Sequence, residues 1–131
     1  FNDFREVVQI RKALESYFLP EISSCLTEDD FSALNSLIDK MEKQIACRKS
    51  FNDISSTHSE FHKRLYAKLN NKILESLIVM FTVFQQTRGT KPQADENFIN
   101  EHRRLLECLK KENKQLIFET INRHFESFDN L

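Results

Sequence analysis

"STHSEFHKRL", Ser56 to Leu65, decides how this chain is read. His58 and His62 stand four residues apart, one helical turn, so a helix puts them on one face. Ile54, Phe61, Leu65 and Leu69 recur on the same face. The period is helical, and a pair of imidazoles shares the apolar side.

Composition extends the helical reading to the whole chain. Its 131 residues are enough for one domain with a real core. One Gly and two Pro, among many Leu, Ile, Phe, Glu and Lys, favour helices and leave little for tight hairpins. Twelve Phe and no Trp point to an aromatic core. The net charge of -1 and the lack of a basic block give this chain no nucleic-acid footprint of its own. Cys25, Cys47 and Cys108 form no CxxC pair and are odd in number, which implies free thiols in a reducing, cytoplasmic compartment. The longest apolar run, Leu77 to Phe84, is too short to span a bilayer, and no signal peptide is visible. The chain starts with Phe rather than Met, so a fragment of a longer protein is expected.

Six helical segments follow from the spacing. The first runs from Asn2 to Phe18, with Val7, Ile10, Leu14 and Tyr17 as its stripe and Pro20 as its stop. The second begins at Thr27, an N-cap followed by Glu28, Asp29 and Asp30, and buries Phe31, Leu34, Leu37, Ile38, Met41 and Ile45. The third spans Asn52 to Leu69 and ends at Asn70 and Asn71. The fourth covers Lys72 to Arg88, with Leu74, Leu77, Ile78, Phe81 and Phe84 inward, before the loop "GTKPQAD". The fifth covers Asp95 to Lys111, with Phe98, Leu105 and Leu109 inward. Asn113 caps the sixth, where Leu116, Ile117, Ile121, Phe125 and Phe128 pack. Short connections make this an all-α fold, a single domain built as an antiparallel bundle of six to seven helices.

All four histidines face inward on this reading. His102 lies between Phe98 and Leu105 on one stripe, and His124 between Ile121 and Phe128. One histidine on an apolar face is usually a buried, hydrogen-bonded residue. Four of them on three helices point to a shared ion. Imidazoles at i and i+4 can bind one metal, and such ligands suit zinc, nickel, copper or iron rather than magnesium or calcium.

At these residues the chain resembles the ligand-binding C-terminal domain of FadR-type regulators in the GntR superfamily. The resemblance runs through "RKALE" (Arg11 to Glu15), "TEDDFSALNSLIDKME", "HSEFHKRLYAKLNNKIL", "NEHRRLLECLKKEN" and "INRHFESF", in order along the chain. In the metal-binding branch of that family three histidines and an Asp or Asn hold the ion. His62, His102 and His124 match the histidines, and His58 stands at the acidic position. The resemblance therefore implies either a four-imidazole site or a three-histidine site with His58 standing off. Zinc is the expected metal, with nickel next.

The resemblance also implies a role. Such domains bind a small metabolite, often a carboxylate, beside the metal, and so control DNA binding by N-terminal winged helices that this chain lacks. Arg11 matches the family's first-helix Arg, and Arg88 continues the fourth stripe; both are candidates to bind the effector carboxylate. A homodimer is implied, DNA is reached only through the missing domain, and no enzyme activity is expected. The alternative is a metal-dependent enzyme on a three-histidine bundle. Against it, Glu60, Glu101 and Glu107 read as off the inward stripes, which leaves no general base. A di-iron carboxylate bundle would need Glu-x-x-His on two helices, and the pattern is absent.

Overall fold

Six α-helices and no strand form among the described residues. The structure, a computed structural model, describes the backbone of residues 3–88 and 95–129 and the side chains of residues 5–84 and 95–125. In order they are α1 (Asp3–Ser23), α2 (Glu28–Ala46), α3 (Phe51–Tyr66), a 3-10 turn (Ala67–Leu69), α4 (Lys72–Arg88), α5 (Glu96–Lys110) and α6 (Lys114–Asp129). The all-α bundle expected from the sequence is what forms. The Arg88 and Phe128 side chains, and most of the loop after α4, lie outside the described residues.

Side chains start five of these helices. Oxygens of Thr27, Ser50, Asn71, Asp95 and Asn113 accept from backbone N–H groups of the first turns of α2 to α6. Each satisfies a donor that the helix itself leaves unpaired. With one Gly in the sequence, chain reversals fall to other residues. Arg48, Asn70 and Glu112 take positive φ near 50° just past α2, α3 and α5. A left-handed non-glycine residue costs about 1–2 kcal/mol. Packing of the flanking helices offsets that cost.

Asp30 carries more than its place in a helix dipole. Its carboxylate accepts from the Thr27 backbone N–H at 2.9 Å and pairs with Lys68 at 2.9 Å and Arg64 at 3.4 Å. It thus ties the start of α2 to the end of α3. The Lys68 bond, helped by those of Thr27, holds the carboxyl well below the usual range despite burial.

α1 corrects two expectations. Pro20 lies inside the helix rather than ending it. The break costs about 3 kcal/mol, and burial of Ile22 beyond it returns about 1.5–3 kcal/mol. The expected stripe is also rotated. Ile10 and Tyr17 are exposed, at 52% and 66%, while Val8, Arg11, Glu15, Leu19 and Ile22 face the core. Two opposite charges on one face neutralise each other, so hydropathy alone misses the buried side. α1 rests on α6, α4 and α5, and α2 packs on α3 and α5. The α2 stripe of Phe31, Leu34, Ile38 and Met41 is buried as read. Cys25, Cys47 and Cys108 are free thiols. Among the described residues no helix is long and apolar enough to cross a membrane.

Asp30→Ala removes the carboxylate that accepts from the Thr27 N–H, together with both ion pairs, and leaves the Thr27 cap itself in place. We expect a loss of about 2 kcal/mol in urea unfolding, and a change under 0.5 kcal/mol, within the ordinary surface range of about ±0.5, would contradict the role.

Candidate metal centre

The site is assembled from the two turns of α3 that carry His58 and His62. Helical spacing aligns their rings, and α5 delivers His102 against them. His58 Nε2 lies 2.9 Å from His62 Nε2 and 3.0 Å from His102 Nε2. The three donor atoms lie within 4.8 Å of one another. Phe98 packs edgewise on His58 at 5.0 Å and tilted on His102 at 4.5 Å between centroids, and Phe61 stands 5.2 Å from His102. These rings pack the apolar side of the cluster, with His62 and His102 buried and His58 partly exposed.

Proton placement tests whether the donor set fits a metal. His102 Nδ1 donates to the Phe98 carbonyl at 2.7 Å, since a carbonyl only accepts. A neutral His102 therefore presents a bare lone pair at Nε2. A proton on His58 Nε2 points at one neighbour, not both. If His62 donates to His58 instead, His58 and His102 face each other with two lone pairs. In either state one close N···N contact lacks a well-placed proton. His62 Nδ1 is buried and has no hydrogen-bond partner. Charging the rings is no remedy. Burial pushes the pKa of His58 and of His62 well down, and neighbouring imidazoles and Arg11 push the same way. His102 is lowered to about 4, first by burial. A cation that accepts all three lone pairs resolves the conflict. Two nitrogens about 2.1 Å from one ion stand about 3.0–3.4 Å apart for bond angles from square to tetrahedral. The two separations made by His58 need little change, and with the third donor pair within 4.8 Å the three residues fit a transition-metal ion.

His124 lies outside this tight group. Its ring centroid is 6.2 Å from that of His102, and its Nδ1 is 3.0 Å from Glu101 Oε2. That bond is the main reason the Glu101 carboxyl sits below its ordinary value. His62, His102 and His124 line one cavity of about 50 Å³ with Glu15, Glu101, Arg104, Arg123 and Phe125.

Arg11 is buried beside the cluster. Its Nε is 3.1 Å from Glu15 Oε2, off the line of a hydrogen bond, and its guanidinium lies 5.3 Å from the Phe125 ring centre. Tyr66 donates its hydroxyl to Glu15 Oε1 at 3.0 Å. Burial, then the Glu15 charge, pushes the phenol pKa well up. Arg88, the other sequence candidate, has its side chain outside the described residues.

One acid departs from its sequence reading, and a second was given no role by it. Glu101 is half-buried and lines the cavity rather than pointing away from it, because His124 draws it in. Glu15 is buried beside Arg11. Its signal was present as an Arg–Glu pair at i and i+4 on one face.

The model of the FCD domain family matches residues 6–127. Among solved structures, the GntR protein of Streptococcus agalactiae superposes with a TM-score of 0.78 at 16% identity, over 100% of this chain and 62% of that chain. The chain thus spans less than two thirds of that relative, and at this identity the likeness speaks for the fold alone. Comparison with curated proteins gives no match.

The pH dependence has a definite sign. Unfolded, the three cluster histidines titrate near 6.5, and folded they titrate lower. Above that pH both states are neutral and the stability of the buried rings is fully present. Below it the unfolded chain takes up protons first. Metal-free protein should lose up to about 1.4 kcal/mol per pH unit for each such histidine. For His102 the loss runs from pH 6.5 down to about 4. Denaturant unfolding read above the carboxylate range, from about pH 7 down to about 5, measures it, and a flat profile would contradict neutral burial.

Proposed function

The chain belongs to the FCD domain family, and on that premise we propose that it is the effector-sensing domain of a GntR-type transcription regulator that holds a transition-metal ion on His58, His62 and His102. The observation that carries this reading is the convergence of three ring nitrogens on α3 and α5. Imidazole donors suit zinc first and nickel next. When bound, the ion supplies an undiminished double positive charge, because no ligand in this cluster is anionic.

That charge favours a small carboxylate as the effector. The adjoining cavity, about 50 Å³, has room for a carboxylate group or one to two waters. Arg104 and Arg123, cationic and exposed, line that same cavity and can receive an anion. Arg11 is held by Glu15, so it acts on an incoming carboxylate only in competition with that residue. The same buried guanidinium disfavours protonation of the rings and so keeps them ready as ligands.

The regulated step is DNA binding by a winged helix elsewhere in the protein, in the cytoplasm. Exposed Ile73, Met80 and Val83 on α4, with Ile10 and Tyr17 on α1, support self-association as a homodimer. A sensing rather than catalytic role is supported by the two acids at the cavity. Glu15 is engaged by Arg11 and Tyr66, and Glu101 by His124. Neither is placed as an uncommitted base.

Elemental analysis tests the site. His102→Ala should lose the stoichiometric metal while keeping its helical content, and a full equivalent retained in that variant would sink the assignment. Thermal-shift screening of small carboxylates should show stabilisation only in metal-loaded protein. Turnover of such compounds would instead favour an enzyme.

A further inference from the structure

We infer that Glu101 is a positioning residue for the metal centre: it fixes the tautomer and orientation of His124 so that His124 Nε2 serves as a fourth nitrogen beside those of His58, His62 and His102. This rests on the reading of the histidine cluster as a metal site.

The Glu101 carboxylate, 3.0 Å from His124 Nδ1, can only accept. The shared proton therefore belongs to Nδ1, and in the neutral ring Nε2 keeps its lone pair. The two nitrogens lie on separate edges of the ring, so a ring whose Nδ1 edge is held by Glu101 turns its Nε2 edge away from that acid. The same device operates once already in this site, where the Phe98 carbonyl takes the Nδ1 proton of His102 at 2.7 Å. Metal-bound histidines are commonly oriented in this way by a carboxylate or carbonyl on the other ring nitrogen.

Distance supports the assignment. The His102 and His124 ring centres are 6.2 Å apart, and those of His62 and His102, both in the cluster, are 6.1 Å apart. His124 is thus as close to His102 as His62 is, and all three line one cavity. Glu101 directly precedes His102 on α5, so one turn of one helix carries both a ligand and the acid that aims another ligand on α6. The acid also places a negative charge next to a donor set made wholly of imidazoles. Its side chain is 32% exposed, so the core does not require it.

Cobalt(II) titration of the purified chain, read by visible absorption and chelator competition, tests the proposal. Glu101→Ala should bind cobalt roughly 10–100-fold more weakly with unchanged helicity, and with absorption altered toward that of His124→Ala. Glu101→Gln, which can still accept from Nδ1 but carries no charge, should recover part of the loss. Adding Glu101→Ala to His124→Ala should weaken binding no further. An affinity within about threefold of the parent, well short of the expected second-layer effect, or single losses that multiply in the double variant, would overturn the role of Glu101. If the parent chain itself takes up no cobalt, the metal reading falls and this inference falls with it.

Discussion

Three ring nitrogens stand at hydrogen-bond distance with too few well-placed protons to join them, and the centre of this fold is arranged around that shortage. In water the conflict would vanish, because the rings would separate or charge. Here Phe61 and Phe98 pack against the rings, and burial keeps the His62 and His102 imidazoles neutral. α3 and α5 are therefore held about a point that favours a positive charge other than a proton. The aromatic walls serve packing and chemistry at once, since the contacts that fill the core also keep the lone pairs available.

The second polar feature of the interior is the Arg11, Glu15 and Tyr66 set. Burying an ion pair is weak evidence for stability, since the desolvation cost rivals the attraction. Its worth here is positional. Tyr66 reaches from the end of α3 to Glu15 on α1, and Arg11 extends to Phe125 on α6. Three helices that share little sequence neighbourhood are thereby registered around one cavity. The guanidinium also adds to the field that resists protonation of the cluster.

Much of this could be read from residue spacing, and the failures have physical causes. α2 and α4 were legible because each carries an uninterrupted apolar period, joined at α2 by the capping side chain of Thr27; Asn71, read as the end of α3, also caps α4. α1 was not, because its inward face carries two charges that cancel each other, and hydropathy scores each as exposed. Periodicity placed all four histidines inward but could not rank them. Which three meet depends on how α3, α5 and α6 approach, and His58 and His102 are 44 residues apart. His58 enters the tight cluster and His124 stays at its edge, bonded to Glu101. Glu101 was misjudged because its inward turn is caused by a partner on another helix.

The packing of α1 on α6 has a consequence for the order of assembly. The first and last helices of the domain are neighbours, so their contact closes almost the whole chain into one loop. α2 and α3 can pair early through a short loop, but the α1–α6 contact must wait for α6. Loop closure grows only slowly in cost with length, about 0.6 kcal/mol per doubling, so the penalty falls on rate more than on stability. The cavity walls come from α1, α3, α5 and α6. A ribosome-bound chain that has not yet released α6 would hold the α3 histidines without the wall that α6 supplies, so the cavity closes only after α6 has docked.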